Sequence, residues 1–191
     1  MLRFRGSLRS HLNHRLWVAA TLVLLAGCGD DEVGEKPDLP DETPALWNPC
    51  DVLDSGTIER EFGSVATEES GTASAPECRF KPDEKSGQAV VTASYTLFSG
   101  TLDEAWESMG QPEDAEVTEP EIDGADAARV VVDVVRKQLY VTGFVQNGEL
   151  IQNVNVVDPA PYDEQAVLAG VRTVLTLLSQ HAVESGVEET D

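Results

Sequence analysis

The chain is short of the residues that most catalysts and nucleic-acid binders depend on. Its 191 residues include three histidines, three cysteines and 13 lysines and arginines, against 35 aspartates and glutamates, for a formal net charge of −22. So few cations exclude nucleic acid as a partner, because neutralising phosphates with Lys and Arg supplies most of that affinity. Histidine-based catalysis is equally poorly provided for. His11 and His14 lie near the start, so beyond residue 28 only His181 is available, and a Ser-His-Asp arrangement needs an oriented base on a rigid element. No Gly-x-Ser-x-Gly elbow occurs, and neither GxxxxGK[ST] nor GxGxxG is present to cradle a phosphate. The apolar run at residues 16–26 (LWVAATLVLLA) is shorter than the ~20 residues that cross ~30 Å of hydrocarbon, so it is not a permanent membrane span.

What the chain does have begins with a leader. Residues 1–15 carry Arg3, Arg5, Arg9 and Arg15 with no acid beside them, and residues 16–26 are uncharged and apolar. That is the order of a secretory signal. The run closes on Leu25-Ala26-Gly27-Cys28, which resembles the bacterial lipobox: the small residues admit a peptidase and the thiol takes a diacylglyceryl group. The reading predicts a signal peptide over 1–27, cleavage before Cys28, and a mature lipoprotein held on the outer face of the cell membrane by lipid on Cys28. A buried methylene contributes ~0.8 kcal/mol and stable anchoring needs more than one acyl chain, a requirement that a diacylglycerol meets. Without the leader, nine basic residues face 35 acids, a charge of about −26. Such a charge keeps a tethered body dispersed and off anionic headgroups, and it equally suits a cationic ligand or partner.

Residues 28–46 form the lipidated cysteine and an acidic, proline-containing stretch (GDDEVGEKPDLPDETPA after Cys28) too poor in large apolar side chains to build a core. They read as a tether. Residues 47–182 are expected to make a single globular domain, and residues 183–191 an acidic tail. Cys50 and Cys78, an exported pair, point to a disulfide. The alternative, a catalytic or metal-binding thiol, has no CxxC spacing and no neighbouring histidine behind it.

Along the domain, Asn48-Pro49-Cys50 opens a short helical stretch. Ser55 is positioned to cap a helix over 57–62 that buries Ile58 and Phe62 and stops at Gly63. Strands are expected at 65–69, 77–81, 89–98 and 129–135. Two more, 139–145 and 150–157, flank Asn147-Gly148, a strong hairpin signal. Leu102, Ala105, Trp106 and Met109 share one helix face, which makes Trp106 a core residue before a ligand platform. Pro159 and Pro161 break the chain and Asp163 caps a helix whose stripe is Val167, Leu168, Val171, Val174, Leu175 and Leu178. The class is α+β: an antiparallel sheet of five or six strands backed by helices, with one disulfide.

Three segments resemble a known family. Asn48-Pro49-Cys50-Asp51-Val52-Leu53, with the short helix ending at Phe62-Gly63, is similar to the NPC-x-L-L opening of small actinobacterial lipoproteins grouped as a domain of unknown function. Cys78-Arg79-Phe80 resembles their second cysteine motif, usually Cys-x-Trp, and Gly124-Ala125-Asp126-Ala127-Ala128 resembles their Gly-x-Gly-Asp-Ala-Ala segment. Phe80 in place of Trp and the shortened glycine motif are departures. The resemblance spans roughly residues 48–179; it implies a lipid anchor and a cysteine pair, and supplies no catalytic residue.

The remaining chemistry is carboxylate. Glu119-Pro120-Glu121-Ile122-Asp123-Gly124-Ala125-Asp126 spaces acids two apart before a glycine, as a calcium loop does, yet Val130 stands where a bidentate Glu belongs and Pro120 interrupts it. A solvated acidic loop is the expectation, with no metal and no cofactor. The functional expectation is a non-enzymatic, membrane-anchored envelope lipoprotein that binds a small ligand or an envelope partner. A structural or regulatory interaction module without a pocket, such as an extracytoplasmic sensor partner, comes next, and a small two-carboxylate hydrolase third.

Overall fold

The computed structural model describes residues 47–72, 74–110 and 115–186. After a single 3₁₀ turn at Pro49–Asp51 come helix α1 (Ser55–Phe62), strands β1 (Ala66–Thr72), β2 (Ala75–Pro82) and β3 (Val90–Leu97), then helix α2 (Leu102–Ser108). Strands β4 (Glu116–Thr118), β5 (Ala127–Val135), β6 (Gln138–Asn147) and β7 (Leu150–Pro159) follow, and helix α3 (Glu164–Glu184) ends the described part. The strands form one antiparallel sheet in the order β1-β2-β3-β7-β6-β5-β4. Two meanders, β1 to β3 and β4 to β7, are therefore joined where β3 pairs with β7 over eight residues, from Val90 opposite Val157 to Leu97 opposite Leu150.

The class is α+β, with seven strands where five or six are expected from the sequence. The additional strand is β4, three exposed residues beside the acidic loop. Its single apolar residue, Val117, offers no alternation to read, and it is held only by pairing with Val130, Val131 and Val132.

Period-2 alternation sorts the sheet's side chains into two faces. One face carries Phe80, Val91, Ala93, Val154, Val156, Val145, Val141, Val132 and Val130, all buried, and is covered by α1 and α3. Helix α3 contributes the expected stripe: Val167, Val171, Val174, Leu175 and Leu178 are buried and Leu168 half-buried. Each such side chain removed from water contributes ~1.5 to 3 kcal/mol, so this layer dominates the core. Gly143 of β6 makes the close fit possible, since a Cβ there would lie 2.8 Å from Val171 Cγ1 and 3.0 Å from Leu175 Cδ1. Among the described residues, the other face is covered only near one corner. There α2 packs Leu102 and Ala105 onto Val131, Phe144 and Ile151, and Trp106 meets Phe144 edge-on at 5.9 Å. Trp106 is a packing residue, as its helical spacing predicts.

Local details depart from the sequence reading in three places. The cap of α1 is Asp54, whose carboxylate accepts from the Thr57 N–H at 2.7 Å, rather than Ser55, which is already the first helical residue. Those hydrogen bonds hold the Asp54 carboxyl below its ordinary pKa. The two-residue turn of the β6–β7 hairpin is Gly148-Glu149, because Asn147 is still paired with Leu150. Helix α3 runs through His181 to Glu184, past the boundary placed at 182. The Asp163 cap is as expected, accepting from Ala166 N–H at 3.1 Å.

Candidate functional site

Cys28, the residue singled out for lipid, lies outside the described residues. Cys50 and Cys78 are joined in a disulfide with Cα atoms 5.1 Å apart, tying the 3₁₀ turn to β2. Cys78 is fully buried beside Phe80 in the main core. The Glu68 carboxylate lies within 4.8 Å of both sulfurs, but sulfur bonded to sulfur has no thiolate to give a cation, so this trio is not a metal centre.

The acidic loop at 119–126 is built into the fold rather than left loose. Asn147, buried at the end of β6, donates from Nδ2 to the Gly124 carbonyl at 2.8 Å and to Ser179 Oγ at 3.1 Å. Ser179 in turn donates to the Asp123 carbonyl at 3.0 Å. The Asp126 carboxylate accepts the Gly148 N–H of the hairpin turn at 2.7 Å, and Gly124 takes φ +78°, a conformation that L side chains avoid. The glycine and aspartate of the lipoprotein-like motif thus serve as a latch between loop, hairpin and α3. Asp126 of the carboxylate ladder is thus engaged by the hairpin turn.

That loop walls a cleft of about 460 Å³, whose other side is the start of α2 and the first residues of β5. At its floor the Arg129 guanidinium, 11% exposed, donates to Asp103 Oδ1 at 2.6 Å and pairs with Glu119 Oε1 at 2.9 Å. It also lies 4.7 Å from the Trp106 ring centroid. Doubly paired and stacked, Arg129 fastens α2 and the loop to β5. Gln146 adds a second tie, accepting the Leu102 N–H at 2.6 Å and donating to the Gly100 and Gly148 carbonyls, each at 2.8 Å.

The part of this face that α2 leaves uncovered has a different character. Reading across strands, Thr92 of β3, Asn155 of β7 and Thr142 of β6 stand opposite one another. On one side of this row Ser94 faces Asn153, and on the other Val90, Val157 and Tyr140 are aligned. Ser94 Oγ donates to Asn153 Oδ1 and Thr142 Oγ1 to Asn155 Oδ1, both at 2.9 Å, and Tyr140 donates to Gln138 Oε1 at 3.0 Å. The charges at the margin are paired, Arg79 with Glu77 at 3.0 Å and Lys81 with Glu69 at 2.6 Å. Beside these rows the β2–β3 turn and the end of β7 enclose an open hollow of about 680 Å³, with Val90, Val157, Pro82 and Pro159 as its apolar surface.

Neither hollow contains histidine. His181 stacks on Trp47 with ring centroids 4.4 Å apart, at the other end of β7 from the larger hollow. Trp47 donates to Gln152 Oε1 at 2.8 Å, and Gln152 donates to the Leu178 carbonyl at 3.1 Å, so this end of the sheet is a closed structural knot. Asp158, whose pKa burial raises, lines neither hollow. The uncharged rows and the latch are invisible in the sequence, because their members come from separate strands and meet only once register is known. Comparison with protein-family models, curated proteins and solved structures found no match to this chain.

Proposed function

We propose that the chain is the precursor of an extracytoplasmic lipoprotein, anchored through lipid on Cys28, whose domain binds a small ligand without transforming it. The observation that carries the binding half is the uncovered sheet face: hydrogen-bonding side chains fixed by their neighbours, beside a hollow of a size small-molecule sites use, roughly 300 to 1,000 Å³. The anchoring half rests on the basic leader, the eleven-residue apolar run and Leu25-Ala26-Gly27-Cys28. Membership of the actinobacterial lipoprotein family with paired cysteines is supported by the disulfide, which brings the two cysteine motifs together. An interaction module without a small ligand is the second reading, favoured by the openness of both hollows to solvent.

The test is native mass spectrometry of the protein recovered from its own membrane, alongside a Cys28→Ala variant. Expected are a lipidated N-terminal cysteine, a co-purifying small molecule, and loss of the variant from the membrane fraction. A wild-type chain beginning at Met1 and partitioning with the cytosol would overturn the anchoring, and recovery with no small molecule would favour the interaction module.

A further inference from the structure

We infer that the uncovered sheet face recognises a neutral, polyhydroxylated ligand, an oligosaccharide lying across β3, β7 and β6. This rests on the binding reading above and names the chemistry of the ligand.

The hydrogen-bond inventory is the first support. Ser94 and Thr142 each commit their one hydroxyl proton to an asparagine carbonyl at 2.9 Å. What they still offer outward is lone pairs. Asn153 and Asn155, their carbonyls engaged, still offer both amide hydrogens, which make no hydrogen bond among the described residues. Acceptors and donors consequently alternate across strands spaced ~4.8 Å apart, held by the sheet and by their own mutual bonds. A polyol, whose every hydroxyl both donates and accepts, is the complement of such an array. Because the amides and hydroxyls are already oriented, little rotamer entropy is lost when the ligand arrives.

Charge is the second support. In a chain with 35 acids and 13 bases, Thr92, Ser94, Tyr140, Thr142, Asn153 and Asn155 form uncharged rows bordered by Arg79 opposite Thr92, Glu77 opposite Ser94 and Asp133 opposite Tyr140. The nearest basic side chains, Arg79 and Lys81, are neutralised by Glu77 and Glu69. An anion meets the net negative charge of the body, and the bordering carboxylates, Glu77 and Asp133, flank the rows rather than interrupt them, so the rows themselves suit an uncharged ligand. Shape is the third. Sugar rings present C–H faces as well as hydroxyls, and Val90 and Val157, aligned with Tyr140 and bordered by Pro82 and Pro159, provide apolar surface for them beside the polar rows.

The experiment uses the full-length protein, exported and purified in detergent. It is titrated with tetrasaccharides of β-1,4-linked N-acetylglucosamine, β-1,4-linked glucose and α-1,4-linked glucose, followed by calorimetry and by NMR of side-chain amides. Expected is binding of at least one, with shifts at the Asn153 and Asn155 amides. Asn153→Ala and Asn155→Ala should each weaken it roughly threefold to tenfold, the equivalent of one hydrogen bond. Thr142→Val, which keeps the shape and removes the hydroxyl, serves if either alanine variant unfolds and should weaken binding similarly. Glu121→Gln, in the other cleft, should leave it unchanged. Binding of none of the tetrasaccharides overturns the inference, whether or not polylysine or polyglutamate binds, as does tetrasaccharide binding that these variants leave unaltered. A charged or apolar molecule co-purified on this face overturns the carbohydrate assignment alone and leaves the ligand-binding function standing. Tetrasaccharide binding by a protein that is not lipidated leaves this inference standing and removes the anchoring.

Discussion

At Arg136 and Lys137, side-chain identity and backbone shape are in conflict. They form the whole two-residue turn between Val135 and Gln138, with φ of 52° and 66°. Such a turn, with positive φ at both central positions, suits Asn-Gly, whereas L residues with longer side chains lose roughly 1 to 2 kcal/mol each in that region. Replacing the pair by Asn-Gly is expected to raise stability by about 1 to 2 kcal/mol, read as a higher urea midpoint with an unchanged slope. The absence of Gly, Asn, Asp or Pro here is also why sequence reasoning marks no β5–β6 hairpin. At Asn147-Gly148 the opposite holds. The hairpin is legible, but Asn147 is still in the ladder because its amide is needed for Gly124 and Ser179.

Asp158 gives a second expectation at this scale. Burial raises its pKa, so the folded state holds the proton more tightly than the unfolded state does. Stability is therefore lost as pH rises from the ordinary aspartate range, near ~3.9, through the folded value. Asp158→Asn should raise the melting temperature at pH 7, and the gain should shrink as the pH is lowered toward ~3, where wild-type Asp158 is itself protonated. A constant difference across that range would mean that the effect is not one of charge.

Among the elements, legibility tracks how much of each is buried and how regularly. Helix α3 is readable residue by residue, since valines and leucines recurring every 3.6 residues mark a helix with one face in a core. Strands β3, β6 and β7 are readable from β-branched content alone. The two outermost strands are less so: β1 (ATEESGT) is anticipated over 65–69 but not in its second half, and β4 (EVT) is not anticipated at all. Their composition reflects their position, because an edge strand rich in charge or only three residues long resists pairing with a second chain. One contact between elements can be tested directly. Gly143→Ala places a methyl within 2.8 Å of Val171 Cγ1 and 3.2 Å of Val154 Cγ1. It should destabilise the domain by about 1 to 3 kcal/mol by forcing α3 away from β6, measurable as a lower denaturation midpoint.

For the molecule as a whole, the disulfide and the two-sided packing decide how it holds together. Cys50 and Cys78 are 28 positions apart, and removing both as Cys50→Ser with Cys78→Ser is expected to cost about 2 to 4 kcal/mol in urea unfolding. Pairing of these cysteines is legible because only two others stand in the sequence beside Cys28. The candidate site is not. Thr92, Thr142, Asn153 and Asn155 lie on three strands, and nothing in their spacing reveals that register will align them into rows. Two further sequence features change meaning in three dimensions. The carboxylate ladder at 119–126 becomes a latch, and Arg129, inconspicuous in the sequence, becomes the pin under α2.

The domain also has two poles. Trp47 and Ala182 meet beside Leu150, so the described chain enters and α3 finishes at the same end of the sheet. Gln138, at the rim of the larger hollow, is nine residues along β6 from Asn147, a separation of ~30 Å at ~3.3 Å per residue. A bead or fusion partner joined directly at Trp47 or at Glu184 would therefore sit at the opposite end of β6 from the larger hollow and leave that hollow unobstructed.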